Sequence, residues 1–598
     1  MTKPGRAERV RSLLLDRGGL VALVALLLYL WIAPPYIVDG DNAEFSTLGA
    51  IGGTAHPSGY PLYLMWLRLW SWLPLGSPAH TAALATAVLG ASAILVLHAA
   101  CRAWGARPLA ATVAVAIFAG APIAVRLGSR AEVFALNGLV VAAVLWLAAN
   151  GGPLRGVWRG VALGIVAGLG ISNHMTCVLV APVGILGVVR AAREARLPKA
   201  ATMGLAVGAV ALGMLPYVYL LVTPDTPLSW GTVRSLDDLY GMITRRDYGG
   251  AGAFMPGGVD VPATTQLAAL ALTLGRTWLW APLVLGLVTL VRRVIVAGEG
   301  ETRWAWGLFA VSWLVAGPLV ASRFNIAPAW LGLYVVQRFH VLPAMLLAVP
   351  VAVGLTSLGP HVARIPIRLR ERAANGIAAT IGFLAVAGLS LPHLLRVHTP
   401  AVEQYARNVL HSLPQDAVLF AGEDNEYFGV NYLQWALGDR QDVILVSWQL
   451  SGLPWYAHRI TARHIYAPEG TAPAIVRAVE YQQSIGHRVF VESVGKSYAI
   501  TELTKAFPSY PYGTEIELLP HGAKIPGVDE VVATNKAIYD KFELGYPRPG
   551  TDDEFATAIH QRYAATWKTL ARKLAAEGKN EQAEWAIGVA RELGPQAD

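Results

Sequence analysis

The chain has 598 residues, of which 54% are hydrophobic and only 15% charged, against about 25% charged in ordinary soluble domains. Its net charge of +8 is spread through short loops between apolar runs, which argues against a basic nucleic-acid-binding face and reads as a membrane-topology signal. Two cysteines, Cys101 and Cys177, set far apart along the predicted spans, argue against a disulfide framework.

Residues 1–17 are basic and precede an apolar run ending in "APPYIVDGD". No small-residue cleavage site follows, so the run reads as a retained first span rather than a signal peptide. Further apolar runs give eleven candidate spans: 18–38, 79–101, 108–126, 132–150, 158–172, 175–190, 200–222, 265–291, 303–322, 341–358 and 376–396. Arginine- and lysine-bearing loops precede the first span and follow the even-numbered ones, from Arg102 and Arg107 to Arg368 and Arg370. The positive-inside bias therefore places the N-terminus and these loops in the cytoplasm. The opposite face receives 39–78, the turn at 127–131, the "SNH" turn, 223–264, 323–340 and everything from 397 onward.

On this topology the unusual polar residues gather on one side. They include Asp39, Asp41, Glu44, His56, Arg130, Glu132, His174, Arg245, Arg246, Asp247 and Arg338. A charge near the hydrocarbon costs several kcal/mol unless paired or wetted, so such a cluster implies a cavity. "PLYLMWLRLWSWLP" (61–74) is too short to span and suits a helix lying in the interface.

Beyond residue 397 the periodicity changes. Strands are expected at 417–422, 442–448 and 487–493, with an amphipathic helix at 425–438, the pattern of a small parallel α/β unit. No G-x-G-x-x-G turn marks a nucleotide site. The tail at 565–595 reads as two helices broken at "EGKN", like a single tetratricopeptide unit, which must pack on the α/β unit or on a protein partner. The expected domains are a cytoplasmic N-terminus (1–17), a polytopic membrane domain (18–396), an extracytoplasmic α/β domain (397–545) and C-terminal helices (546–598). The short loops and the tail point to a bacterial inner membrane with a periplasmic or exterior α/β domain.

Several ordered stretches carry a family pattern. "DNAEFSTLGAIGGTAHPSGYPLY" opens it. "SRAEVFALN" (129–137), "GLGISNHMT" (168–176), "LPYVYL" (215–220), "LSWGTVRSLDDLYGMITRRDYG" (228–249) and "QRFHVLP" (337–343) follow, and "FAGEDNEYFGVNYLQWALGDRQDVILVSWQLSGLPWY" (420–456) closes it. Together they resemble the transmembrane protein 260 family, which is associated with protein O-mannosyltransferases. The resemblance implies a GT-C glycosyltransferase fold: a multi-span all-α membrane domain followed by the small α/β domain and the helical hairpin. It also implies a sugar donor carried on a polyprenyl phosphate, work on the non-cytoplasmic face, and a catalytic carboxylate in the first external loop. One departure stands out. The family's D-S-G-E reads D-N-A-E from Asp41 to Glu44, so a turn needing positive φ at Ala43 would be strained.

Inverting transfer needs a carboxylate to take the acceptor proton and donors to hold the leaving phosphate. Asp41 is the expected base, with Glu44 one turn away to bind the acceptor or a sugar hydroxyl. The extra Asp39 leaves the choice of base open, and the plain alternative is a solvated loop with an N-cap. His56 and Tyr60 are candidate sugar or phosphate contacts, or else a shaped turn. Glu132 is a cavity residue or the ion-pair partner of Arg130 or Arg126. His174 is a ligand contact or an interhelical hydrogen bond. Trp230, Arg245, Arg246 and Tyr248 come from one polar external loop, where the two arginines could clamp the carrier phosphate or attract lipid headgroups. Arg338 is the preferred phosphate ligand. Asp39, Asp41 and Glu44 could cage a divalent cation, but a metal-independent transfer needs fewer assumptions. "GEDNE" (422–426) at a strand end could hold an acceptor or Ca²⁺, or cap a helix. Mannose transfer to protein Ser/Thr is the leading expectation. The alternatives are transfer to a lipid or cell-envelope glycan, a lipid or solute transporter, and a scaffold that recruits a partner.

Overall fold

A computed structural model describes residues 17–250, 260–296, 301–362, 387–388, 390–392, 394–462, 474–493, 498–551 and 553–596. The basic residues ahead of Arg17, most of the expected span 376–396 and the loop with Arg364, Arg368, Arg370 and Arg372 lie outside the described residues.

Among the described residues, four helices are long and apolar enough to cross a membrane: Pro78–Ala103, Met175–Glu194, Lys199–Val222 and Leu331–Leu358. Three shorter apolar helices, Gly18–Ile32, Phe134–Ala148 and Gly156–Ile171, accompany them. The expected count of eleven is not confirmed: among the described residues there are four such helices, or up to six if each of two bent pairs is one span, and several runs are broken. Pro108–Gly120 and Pro122–Gly128 bend by 68° at Ala121. The run expected at 265–291 is two helices, Ala263–Trp278 and Ala281–Ile295, bent by 108°. Leu279 and Trp280 make that corner with left-handed φ of 54° and 56°. The run at 303–322 ends its regular helix at Leu314 and continues as a π-turn around Pro318, which cannot donate to an α-helical ladder.

Small residues bring these helices together. Gly156–Ile171 lies along Lys199–Gly213, where a Cβ on Gly164 would sit 2.1 Å from the Ala206 carbonyl and one on Gly168 2.2 Å from that of Val210. Such close backbone approach is the membrane substitute for hydrophobic driving force. The segment expected to lie in the interface forms the helix Pro61–Trp70, which buries Pro61 and Tyr63 and leaves Leu69 exposed.

The α/β unit holds a five-stranded sheet in the order β2-β1-β3-β5-β4. Its strands are β1 (Val418–Ala421), β2 (Ile444–Ser447), β3 (Val489–Glu492), β4 (Ser509–Tyr512) and β5 (Glu515–Leu518). The first three are parallel and correspond to the expected strands. β4 and β5 form an antiparallel hairpin on the β3 edge, turning at Gly513 with φ 62°. The sequence reading missed this hairpin, although "YGTE" between alternating residues is a turn signal.

This unit is seated on the helical part rather than hung from it. One continuous core runs from Ile37, Phe45 and Leu48 through Tyr405 and Ala406 to Val418, Phe490 and Tyr563. The tail forms the expected pair of helices, Glu554–Ala576 and Asn580–Leu593. The first buries Tyr563, Trp567 and Leu570 in the chain's own cores. Of the two expected coverings, the α/β unit or a partner, it is the α/β unit that packs on this apolar face, and a partner at these helices has no support.

Candidate active site

The loop after the first apolar helix turns at Gly40, whose φ of 73° is the left-handed value that glycine tolerates. The helix Asn42–Ile51 starts two residues later. Ala43 lies inside that helix, so the strain expected of the D-N-A-E variant is not found; the left-handed residue is Gly40. Asp41 stands at the N-cap position but its side chain caps nothing. Its Oδ2 instead accepts from Arg338 Nη1 at 2.7 Å. Burial alone would raise the Asp41 carboxyl, but the Arg338 guanidinium and His56 outweigh it and hold the group below its usual range.

Glu44 is completely buried, and both its oxygens are taken by one residue. Oε1 accepts from the His56 backbone N–H at 2.9 Å, and Oε2 lies 2.6 Å from His56 Nδ1. His56 Nε2 meets the Tyr60 hydroxyl at 2.9 Å. Burial pushes the His56 imidazolium down, yet the Glu44 carboxylate and its hydrogen bond more than reverse this, to about 9. Glu44 therefore stands behind His56 and faces no open space.

Tyr60 stacks on His174 with ring centroids 5.8 Å apart. The Thr176 backbone N–H donates to His174 Nδ1 at 3.3 Å, which leaves Nε2 to carry the ring proton. Burial and the Arg245 and Arg338 guanidinium groups hold His174 neutral, near 3. Trp230 approaches His56 edge-on at 6.3 Å and stacks on Tyr248 at 5.8 Å. Asp247 receives the indole N–H groups of both Trp230 (3.1 Å) and Trp455 (3.0 Å). Arg245 lies over the Tyr248 ring at 5.1 Å and, among the described residues, has no carboxylate in ion-pair range. Arg246 turns outward into a two-pronged pair with Asp237 (2.9 and 3.0 Å) and is half exposed. Only one arginine of the expected clamp thus faces the site.

A second arginine cluster lies behind Arg338. Asp39 accepts from Arg130 at 2.7 Å and from Arg126 at 3.4 Å, so both its oxygens are occupied. Glu132 differs from expectation. Its partners are Arg338 at 3.7 Å and the Tyr334 hydroxyl at 2.9 Å, not Arg130 or Arg126. Tyr334 has all three guanidinium groups about its ring: Arg126 at 4.3 Å, Arg130 at 4.9 Å and Arg338 at 5.2 Å. Tyr334 went unnoticed in the sequence, although it sits four residues before Arg338 on one helical face. Arg126 also holds Glu554, at the start of the C-terminal helix, through Nη1 at 2.9 Å.

The three carboxylates Asp39, Asp41 and Glu44 each face a different cation, so they do not converge on a common point. Next to them a cavity of about 250 Å³ opens between helices, with Arg126, Arg276, Tyr334, Gln337 and Arg338 in its wall. Arg338 faces both this cavity and Asp41. The α/β unit closes the other side. Gly40 N–H donates to Asn425 Oδ1 at 3.1 Å, which sets the helix Asp424–Asn431 against the loop that carries Asp41.

This constellation can be compared with known proteins. Residues 41–196 match a family model described as the Protein O-mannosyl-transferase TMEM260 N-terminal domain. Residues 402–517 match another, TMEM260-associated domain 2. Over these two regions the chain is similar to the TMEM260 family. Protein O-mannosyl-transferase TMEM260 of Mus musculus is 25% identical over 609 residues, covering 95% of this chain and 82% of the mouse protein. The Dictyostelium discoideum protein of the same name is 19% identical over 482 residues, covering 73% of this chain and 58% of its own length. Among solved structures, ArnT from Cupriavidus metallidurans bound to undecaprenyl phosphate aligns with a TM-score of 0.52 at 15% identity, over 85% of this chain and 99% of ArnT. That likeness gives the chain a GT-C architecture. The first matched region supplies Asp41, His56, Tyr60, Glu132 and His174, and the second supplies the helix that closes over them.

Proposed function

We propose that this TMEM260-like glycosyltransferase moves a hexose, mannose in the leading reading, from a polyprenyl-phosphate carrier to a Ser/Thr hydroxyl of a protein, with inversion at the sugar carbon. The single observation that carries the reading is the position of Arg338. One guanidinium touches Asp41 and also lines the neighbouring cavity, so a phosphate held there would put its sugar beside a carboxylate. Arg276 and Gln337 would add donors to that phosphate. The ArnT structure holds undecaprenyl phosphate on the same architecture, which supports a lipid carrier here.

In this reading Asp41 draws the acceptor hydroxyl toward the sugar carbon and takes its proton. Glu44 fixes His56, and His56 with Tyr60 meets sugar hydroxyls. His174, neutral and presenting its Nε2–H, is a hydrogen-bond donor to the same sugar. Trp230 and Tyr248 form an aromatic wall, and Arg245 offers the unpaired cation of the outer rim. Asp39 and Glu132 act indirectly, by holding Arg130, Tyr334 and Arg338 in place. The loop charges support a reaction on the non-cytoplasmic face. Short loops are the support for a bacterial inner membrane, against relatives from Mus musculus and Dictyostelium discoideum; the mechanism depends on the face and not on the host.

The test is direct. Purified protein is incubated with several polyprenyl-phosphate sugars, and release of the free carrier phosphate is followed. Release that depends on the sugar and vanishes in Asp41→Asn is the expected result. No release with any donor overturns the reading.

A further inference from the structure

The cavity beside Asp41 is walled from the helical part by Arg126, Tyr334 and Arg338, among others. The start of the C-terminal helix Glu554–Ala576 stands directly behind two of these residues. Glu554 takes Arg126 in a two-pronged pair, with Nη1 donating to Oε1 at 2.9 Å and Nη2 donating to Oε2. The neighbouring Phe555 meets Tyr334 edge-on, with ring centroids 5.3 Å apart. Among the described residues, Arg126 belongs to the cavity wall and Glu554 does not, so Glu554 supports the guanidinium from outside the cavity and does not fill it. Its backbone is itself held in place. Glu554 has a left-handed φ of 49°, which a residue with a Cβ keeps only where its surroundings fix it. Those surroundings are Asp553, which accepts from the Gly550 N–H at 2.6 Å and pairs with Arg396 at 3.3 Å, and Thr557, whose hydroxyl donates to the Gly550 carbonyl at 2.6 Å.

Resting on the reading above, we infer that Glu554 is a positioning residue of the carrier site: it fixes Arg126 as a further guanidinium for the carrier phosphate, which makes the C-terminal helix part of that site. Two parallel N–H···O bonds set both the place and the plane of a guanidinium, which one bond does not. Among the described residues Arg126 has one other carboxylate in range, Asp39 at 3.4 Å, and Asp39 is already engaged by Arg130 at 2.7 Å. Without Glu554, Arg126 would compete with Arg130 for Asp39 and lose its place 4.3 Å over the Tyr334 ring. Phe555 bears on that same ring, against which Arg338 also lies at 5.2 Å. The Glu554 carboxylate takes some of the charge that Arg126 offers to a phosphate, and Arg276 and Arg338 supply the balance at the cavity. In return, a long side chain need not be ordered when the carrier binds, which is where a preorganised contact gains. Glu554 touches neither substrate and moves no proton, so its effect falls on carrier binding and not on the chemical step.

The experiment takes two readouts from the full chain in detergent. One is the affinity for free undecaprenyl phosphate, followed by the lipid-dependent rise in melting temperature. The other is steady-state release of carrier from polyprenyl-phosphate mannose. Glu554→Gln should weaken carrier binding and raise the donor KM about tenfold, the worth of one charged contact, while kcat stays within about twofold. Arg126→Gln should do the same, and the double variant should be no worse than Arg126→Gln alone, because Glu554 acts through Arg126. A merely structural role in seating the C-terminal helix would lower the melting temperature of the lipid-free protein and multiply with Arg126→Gln. Glu554→Asp keeps the charge and shortens the reach, and it should give an intermediate KM even if Glu554→Gln proves too unstable to assay. Native carrier affinity and native KM in both Glu554 variants, or effects that multiply with Arg126→Gln, overturn the inference. Carrier binding that depends on Arg126 and Glu554 in a protein that releases carrier from no donor overturns the underlying reading instead.

Discussion

Arg338 and Arg246 make a test of position against residue type. Both were expected as phosphate ligands, yet Arg338 is half-buried between Asp41, Glu132 and Tyr334, and Arg246 pairs with Asp237 in solvent. Arg338→Lys keeps the charge but loses the planar fork that serves two sides at once. It should lower turnover roughly 100-fold, the cost of one preorganised donor at a reacting centre. Arg246→Lys should change it by less than about twofold, since exposed pairs contribute little. Steady-state carrier release from both variants is the measurement. The Glu44–His56 pair adds a pH prediction. His56 titrates near 9 in the folded protein, above the ordinary 6.5 for the side chain. Between those values the folded state holds a proton that the unfolded chain releases, so stability is full below about 6.5 and declines as pH rises toward 9. Thermal unfolding in detergent should show that decline, and His56→Gln should flatten it.

At the scale of elements, the helix Gly156–Ile171 and its neighbour Lys199–Gly213 carry a built-in control. A methyl on Gly168 would overlap the Val210 carbonyl at 2.2 Å, whereas one on Gly208 meets nothing within 4 Å. Gly168→Ala should lower stability by about 1–3 kcal/mol through overpacking. Gly208→Ala should leave it unchanged or slightly raised, because alanine is the better helix former. Comparative melting in one detergent settles the pair. The sequence revealed such elements unevenly. Local chemistry was readable: the first-loop carboxylates, the His56–Tyr60 turn and the three parallel strands all announce themselves by residue type and period. The break at Leu279–Trp280 was not, since neither residue is a helix breaker and the bend arises from left-handed φ values imposed by packing. The partners of Glu132 were hidden for a related reason. Arg130 and Arg126 are nearer in sequence, but the fold gives them to Asp39 and brings Arg338 from another helix. Asn425 lay within a stretch already noted as acidic, yet nothing local says that its helix docks beside Gly40.

Across the whole molecule, the C-terminal helix Glu554–Ala576 ties the α/β unit to the site. Arg562 reaches from it to Glu423 at 3.2 Å and Glu426 at 3.6 Å, at the start of the helix Asp424–Asn431. Glu426 and Glu515 are both fully buried, and each keeps an oxygen with no hydrogen-bond partner. Burial, eased in part by Thr514, raises Glu515 to about 8 from an ordinary 4.5. The folded chain therefore binds a proton there that the unfolded chain does not between those values, and stability falls as pH rises across that window. Arg562 is the cation that offsets this accumulation of carboxylates. Arg562→Met keeps much of the volume and removes the charge, so it should destabilise the protein by about 3 kcal/mol, as breaking a buried pair does. The loss should be smaller at pH 6, where the carboxyls bind protons in compensation, and larger at pH 8.5. Because the strained element also seats Asn425 on Gly40, carrier release should fall in this variant at temperatures where the helical part is still folded. Parallel melting and turnover curves at the two pH values check it. Equal destabilisation at both pH values would mean that the carboxylate cluster does not set the stability of this unit.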